Sequence, residues 1–242
     1  MTDATLLEVQ GLQTGYGDLK VVRDVSLTVR AGEITVLLGR NGAGKTTTLR
    51  AITGLNRTTG GQIRYLGDRL DGVPPFTRVG KGMSYVQEGK RVFHELTIEQ
   101  NLLLGGFSRR LRKRALAEHV SEIYELFPIL GEKRALPASS MSGGQQQMLA
   151  IGQALMAKPK LLILDEPSQG LAPVIVKEVM ERVHALKATG IGILLVEQAV
   201  QDSVAIADEV TVIEMGRTVL SGPAATVTPE DIQDAYFGAT AR

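Results

Sequence analysis

No cysteine occurs in the 242 residues, which removes disulfides, thiolate metal sites and cysteine nucleophiles together. Neither charge is in excess: 27 Lys and Arg stand against 26 Asp and Glu, so no global field argues for nucleic acid or an anionic membrane surface, and any basic partner site has to be local. Long apolar runs are also missing. Leu161 to Leu164 and Ile191 to Val196 fall far short of the about 20 residues that span a bilayer, so a role at a membrane would run through a partner. Met1-Thr2-Asp3-Ala4-Thr5 is not basic and no long apolar segment follows it; a secretory signal is not expected, and a cytosolic compartment is. With 43% hydrophobic and 22% charged residues, disordered and fibrous readings are excluded and one or two modest cores can form.

What is present begins with Gly39-Arg40-Asn41-Gly42-Ala43-Gly44-Lys45-Thr46-Thr47, a complete G-x-x-x-x-G-K-[ST] loop. It lies between the apolar run Ile34-Thr35-Val36-Leu37-Leu38 and a helix-like segment starting near Lys45. Glycines let successive backbone N–H groups turn inward on a polyanion, the helix aims its positive end at the same place, and Lys45 adds a full charge toward β- and γ-phosphate oxygens. Thr46 would then hold magnesium.

Leu7, Val9, Val25, Leu27 and Val29 alternate with polar residues and predict antiparallel strands in the first ~30 residues. Gly61 to Gly67 reads as another strand, followed by a turn-rich segment through Pro74-Pro75. From about Thr97 to Ala157 the spacing is helical, as in Leu116, Val120, Ile123, Tyr124 and Phe127, which predicts a helical insertion. Short apolar strands at Leu161 to Leu164 and Gly192 to Val196, with a helix over Val174 to Thr189 between them, indicate buried parallel strands of an α/β sheet. Val210 to Ile213 and Thr218 to Leu220 flank Met215-Gly216 and read as a hairpin.

Leu161-Leu162-Ile163-Leu164-Asp165-Glu166 is an apolar strand ending in two carboxylates. Ligands sit at the carboxyl ends of parallel strands, so Asp165 is placed for magnesium and Glu166 to orient or polarise an attacking water. Met141-Ser142-Gly143-Gly144-Gln145 is a second glycine-bearing helix start, and Ser142 with the glycine amides makes a second anion site, although a plain capped helix reads the same way. Two such devices fit a dimer in which each subunit supplies half of each site.

In this order, Gly39 to Thr46, Ser142 to Gln145 and Leu161 to Glu166 resemble the Walker A, signature and Walker B motifs of the nucleotide-binding subunit of an ABC transporter, over almost the whole chain. The resemblance implies one α/β P-loop NTPase domain with a RecA-like parallel sheet core, an N-terminal antiparallel β subdomain and a helical subdomain insertion. Residues 1–88 and 158–242 would form the core and 89–157 the insertion. It implies ATP and Mg2+ as ligands. Tyr16, in Gly15-Tyr16-Gly17, would stack on adenine, residues Gly39 to Thr47 would cradle phosphates, and Ser142, Gly143, Gly144 and Gln145 would close on the nucleotide of the opposite subunit.

Three departures stand out. Counting back from Phe93 and Leu96-Thr97 puts Glu88, rather than Gln87, at the Q-loop glutamine position, so the metal-facing group there is Glu88 or Gln87. Gln198 replaces the switch histidine; its amide can donate to a γ-phosphate but cannot carry a proton. Ala172 stands where the D-loop usually has aspartate. Tyr85-Val86-Gln87-Glu88-Gly89, Val196-Glu197-Gln198 and Gly170-Leu171-Ala172-Pro173 are together similar to the ATPase subunits of branched-chain amino acid importers, the LivF type; urea and amide importers use closely similar subunits. The implied partners are a second cassette, identical or not, two integral-membrane permease subunits on whose inner face the chain would sit, and indirectly a solute-binding protein. No nucleic acid is expected. A soluble cassette protein of DNA repair or translation and a small-molecule kinase are the readings from other classes. The basic run Arg109-Arg110-Leu111-Arg112-Lys113-Arg114 lacks interleaved aromatics and reads as a solvated patch.

Overall fold

The computed structural model describes residues 5–107 and 113–237, so Arg109 to Arg112 of the basic run lie outside the described residues. Two long strands, β1 (Thr5–Tyr16) and β2 (Leu19–Arg30), pair antiparallel. On the other side of β1 comes β4 (Thr58–Tyr65), edged by the two-residue β5 (Asp68–Arg69). The expected antiparallel N-terminal strands are therefore found, with β4 covering the predicted strand near Gly61.

Five strands form the parallel centre. They are β3 (Ile34–Leu38), β6 (Met83–Val86), β7 (Leu161–Asp165), β8 (Gly192–Glu197) and β9 (Glu209–Glu214), in the order β9-β3-β8-β7-β6. The predicted hairpin closes β9 antiparallel on β10 (Arg217–Pro223). A single parallel pairing of Arg217 with Asp24 joins β10 to β2, making one ten-stranded sheet. Strands β3, β7 and β8 are buried at every residue, as their unbroken apolar runs require when helices cover both faces.

Alternate residues of these strands feed two hydrophobic clusters. On one face Val36, Leu38, Leu162, Leu164, Ile193 and Leu195 join the helices that follow β6 and β7. On the other, Leu37, Ile163, Leu194 and Val196 pack with Leu49 and Ile52 of α1 (Lys45–Ile52) and with the interior of the β1–β2–β4 sheet. Between β6 and β7 the chain is helical: α3 (Ile98–Gly105), α4 (Lys113–Leu126), α5 (Pro128–Glu132) and α6 (Gly143–Leu155). Thr97 caps α3 by accepting from the Gln100 amide, with Gln100 reciprocating, which stops the helix from starting earlier. Helix α7 (Pro173–Ala185), continued by a 3-10 turn to Thr189, matches the expected helix.

Three short elements and one strand differ from the sequence reading. Strand β6, α2 (Pro75–Gly80), α8 (Val200–Val204) and the C-terminal α9 (Pro229–Phe237) are elements that the sequence pattern does not announce. Four to nine residues are too few for periodicity to announce an element. Helix α2 is held by Arg78, whose guanidinium is buried and donates to the carbonyls of Ala51, Ile52, Leu70 and Val73.

Candidate active site

The carboxyl ends of β3, β8, β7 and β6 lie side by side, in registers that pair Leu38 with Glu197, Asp165 with Val196 and Val86 with Leu164. Four segments thus emerge along one sheet edge: Gly39 onward, Gln87-Glu88, Glu166 onward and Gln198. This is where a parallel sheet presents ligand-binding groups.

The loop from Gly39 to Gly44 is shaped by steric demands. A Cβ on Gly39 would stand 2.7 Å from the Ile213 carbonyl oxygen, and Gly44 has φ of 105°, a conformation that side chains disfavour. The loop is anchored by Gly216 N–H, which donates to Ala43 O at 3.0 Å. Helix α1 starts without a side-chain cap and without an acidic residue in its first turn, so its leading N–H groups are left to whatever anion enters. A cavity of about 340 Å³ opens there, lined by Arg40, Asn41, Gly42, Gly44, Lys45, Thr46 and Thr47 together with Val21, Glu88, Glu166 and Gln169.

Inside it, Lys45 Nζ donates to Gly39 O at 2.8 Å and pairs with Glu166 Oε1 at 3.0 Å, the two side chains only 4% and 10% exposed. The lysine of the loop and the carboxylate of the strand end therefore satisfy each other. Thr46 Oγ1 reaches Asp165 Oδ1 at 3.4 Å, and the Tyr85 hydroxyl donates to Asp165 Oδ2 at 2.9 Å. Burial pushes the Asp165 carboxyl above the usual aspartate range, opposed by the Tyr85 hydrogen bond and reinforced by the charge of Glu166. The same burial, with the Asp165 charge beside it, pushes the Tyr85 phenol up, so it stays a donor. Glu166 has φ of 47°, left-handed for a non-glycine. Its N–H donates to Val196 O at 2.9 Å, and Gln169 Nε2 donates to its Oε2 at 3.2 Å.

The other sequence-derived residues fall into three places. Glu88 is in this cavity, whereas Gln87 is not: it lines a groove of about 270 Å³ with Arg91, Gly105 and Gln153. Adjacent residues continuing a strand point to opposite sides, and the extension of β6 separates the two candidates in that way. Tyr16 ends β1, 47% exposed, with its hydroxyl 3.5 Å from Thr47 Oγ1 and the Arg50 guanidinium 5.9 Å from its ring centre. Gln198 stands exposed just past β8, outside the cavity lining. Ser142 caps α6 by accepting from the Gln145 amide at 3.3 Å, and Gln145 Oε1 accepts from Ser142 N–H at 3.2 Å. Gly143 and Gly144 follow, the latter so close to Ile175 that a Cβ would come within 2.2 Å of its Cγ2. These four residues do not line the Lys45 cavity.

Sequence reasoning missed Tyr85 and Glu197. The latter is buried at the end of β8, where its Oε1 accepts from Ser168 N–H at 3.0 Å. A charged residue closing the apolar run Ile193 to Val196 is the one signal that could have found it. Thr46 and Asp165 offer hard oxygen donors suited to magnesium, though among the described residues no three His, Cys, Asp or Glu side chains are arranged to hold a metal ion by themselves. No helix among those residues is long and apolar enough to cross a membrane.

Comparison with known proteins identifies the family. A family model described as ABC transporter matches residues 22–169, more than half of the chain. The high-affinity branched-chain amino acid transport ATP-binding protein BraG of Pseudomonas aeruginosa is 44% identical across 96% of this chain and 100% of its own length. The lipopolysaccharide export system ATP-binding protein LptB of Haemophilus influenzae is 32% identical across 97% of this chain and 98% of its own. The solved ADP conformation of MJ1267, an ATP-binding cassette of an ABC transporter, superposes with a TM-score of 0.84 at 26% identity, covering 95% of this chain and 94% of that one. The P-loop NTPase fold and the resemblance to branched-chain amino acid transporter subunits are both borne out, and the chain belongs to the ABC transporter family as an ATP-binding subunit with ATPase activity.

Proposed function

We propose that this subunit works on the cytoplasmic face of a membrane importer of branched-chain, hydrophobic amino acids, closing head-to-tail on a second cassette around two ATP molecules. The observation that carries the nucleotide chemistry is the single cavity holding Lys45, Thr46, Glu88 and Glu166 beside uncapped α1. The observation that carries the solute is the 44% identity to BraG over its full length.

On entry, phosphate oxygens take the α1 amides and Lys45, which exchanges its pair with Glu166 for the nucleotide. Glu166 is thereby released to orient and polarise water at the γ-phosphate. Thr46 and Asp165, already within 3.4 Å of each other, would hold magnesium with Glu88, and the ion would supply neutralisation of phosphate charge. Ser142, Gly143 and Gly144 of one subunit complete the γ-phosphate site of the other, and Tyr16 stacks on adenine. Catalysis is then mostly positioning and charge stabilisation.

Coupling to the permeases follows from β6. Glu88 lies in the phosphate cavity and Gln87, its neighbour, in the groove with Arg91, Gly105 and Gln153, so a displacement at the phosphates is transmitted within one peptide unit. Leu103, Leu104 and Phe107, flanking Gly105, are exposed, Phe107 by 83%, and this face suits an apolar cytoplasmic segment of a membrane protein.

The test is an affinity pull-down of the tagged chain from gently solubilised membranes of its own organism. Recovery of two polytopic permeases, a second cassette and an amino-acid-binding protein is expected. A urea- or amide-binding protein in their place would correct the solute, a lipopolysaccharide export complex would reverse the direction, and recovery of ribosomes or nucleic acid without permeases would overturn transport.

A further inference from the structure

Two buried acids stand at this sheet edge, Asp165 and Glu197, each 2% exposed. The reaction proposed above uses the first and leaves the second without a task. A carboxyl withdrawn from water costs stability unless its oxygens find donors. Glu197 finds them in one place: Oε1 accepts from Ser168 N–H at 3.0 Å, and the Ser168 hydroxyl and the Gln198 backbone also bear on it. Burial raises its pKa above the usual glutamate value, and those donors pull the other way. What the neighbouring turn contacts is an acceptor oxygen, Oε1.

Ser168 lies two residues beyond Glu166 and opens the loop that leads to Pro173 at the start of α7. Glu166 is in the left-handed region at φ 47°, a conformation that persists only where the surroundings over-determine it. Consecutive residues of β8 supply that constraint. The carbonyl of Val196 takes Glu166 N–H at 2.9 Å, and the side chain of Glu197 takes Ser168 N–H. Gln169 N–H then donates back to Glu166 O at 3.1 Å. The turn is gripped on both sides of Pro167, and Glu197 is the only one of the two grips made by a side chain.

We infer that Glu197 is a positioning residue for ATP hydrolysis, which holds the turn Glu166 to Gln169 against β8 through the Ser168 amide and so aims Glu166 into the phosphate cavity. The inference rests on the reading that Glu166 polarises the attacking water. It also assigns a function to the residue beside Gln198, which stands where the family resemblance implies a switch histidine.

Steady-state MgATP hydrolysis and nucleotide binding by the purified full chain test it, with Glu197→Leu, Glu197→Asp, Glu197→Gln and Glu166→Gln compared. Glu197→Leu keeps bulk and loses the acceptor; Glu197→Asp keeps the charge, withdraws the carboxyl by one methylene, and serves if the leucine variant folds poorly. Both are expected to lower kcat by about 10- to 100-fold, the scale of a small misplacement of a reacting group, with KM for ATP and nucleotide affinity within about 2-fold of the parent. Glu197→Gln retains a carbonyl acceptor of the same reach and is expected within about 3-fold of the parent in kcat. Rescue by the amide is the readout that a bulk or charge role would not give. Parental kcat in the leucine and aspartate variants, or a glutamine variant as slow as the leucine one, overturns the inference. Parental hydrolysis by Glu166→Gln would instead sink the catalytic reading beneath it, whatever Glu197 does.

Discussion

Two helix starts in this chain carry glycines and face an anion by expectation, yet they are built differently. Helix α1 begins at Gly44 with no side-chain cap, its amides open to a cavity that already contains Lys45, Thr46 and Glu88. Helix α6 begins at Ser142 with a reciprocal capping box to Gln145, and Lys133 Nζ donates to the same Gln145 oxygen at 3.3 Å. The first end is unfinished without a ligand. The second is satisfied by its own side chains and offers only the amides of Gly143 and Gly144 at its rim. The difference fits the separate tasks proposed for them, affinity within one chain for α1 and a contribution from α6 once a partner brings a phosphate to it.

The sharpest way to break that contrast is Glu166→Gln. With the charge gone, Lys45 keeps the Gly39 and Arg40 carbonyls and meets only a neutral amide oxygen in place of its counter-ion, so the nucleotide-free variant is expected to be less stable than the parent. ATP then meets no competing carboxylate for Lys45. Nucleotide affinity is expected to rise and kcat to fall by about 10²- to 10⁴-fold, the usual weight of a general base. Thermal unfolding with and without ATP, beside a turnover assay, reads both effects. A variant that turns over normally would remove Glu166 from the chemistry of the α1 site.

Ser142→Ala acts at the other end. Losing the cap is expected to lower stability by about 1 kcal/mol. Losing the hydroxyl at the trans phosphate is expected to lower kcat by about 10-fold or more, the value of a hydrogen bond to a charged group, while nucleotide binding by the isolated chain is unchanged. Equilibrium binding at concentrations too low for dimer formation, set against turnover at high concentration, separates the two. Weakened binding in the dilute chain would mean that Ser142 serves its own subunit's nucleotide, and the contrast between the two helix starts would fail.

The α1 site was legible because its residues are contiguous, from the apolar strand Ile34 to Leu38 through Lys45 to the helix, and a local pattern is what a sequence displays. Parallel strands β7 and β8, the β9–β10 hairpin and α7 were legible for the same reason. The contacts that finish the site were not. Tyr85 meets Asp165 across 80 positions and Glu197 meets Ser168 across 29, and nothing at either residue marks its distant partner. Spacing from Phe93 favours Glu88 over Gln87 but leaves both open as the metal-facing group; once Met83 to Val86 is a strand, their opposite directions follow. The exposed position of Gln198 is likewise set by where β8 stops, a boundary that an apolar run locates only loosely.

The smallest effect sharpens the comparison from the adenine end. Tyr16 is exposed, and its ring has the Arg50 guanidinium 5.9 Å from its centre, so a base added to it extends an existing cation–ring arrangement. Stacking of one base on an aromatic ring is worth about 1–3 kcal/mol. Tyr16→Ala is therefore expected to raise KM for ATP by about 5-fold or more with kcat nearly unchanged, since the ring does not line the cavity of Lys45 and Glu166 and a stacked base is held alike in substrate and transition state. Tyr16→Phe is expected to be nearly neutral, because the hydroxyl contact to Thr47 is long at 3.5 Å. Steady-state kinetics with ATP and GTP read the effect, the purine change altering hydrogen-bonding edges while keeping a ring to stack. Ser142→Ala and Tyr16→Ala thus move opposite parameters, kcat for the first and KM for the second. A Tyr16→Ala variant that lost kcat at constant KM would place this tyrosine with the α6 end, at the subunit contact and not at the base.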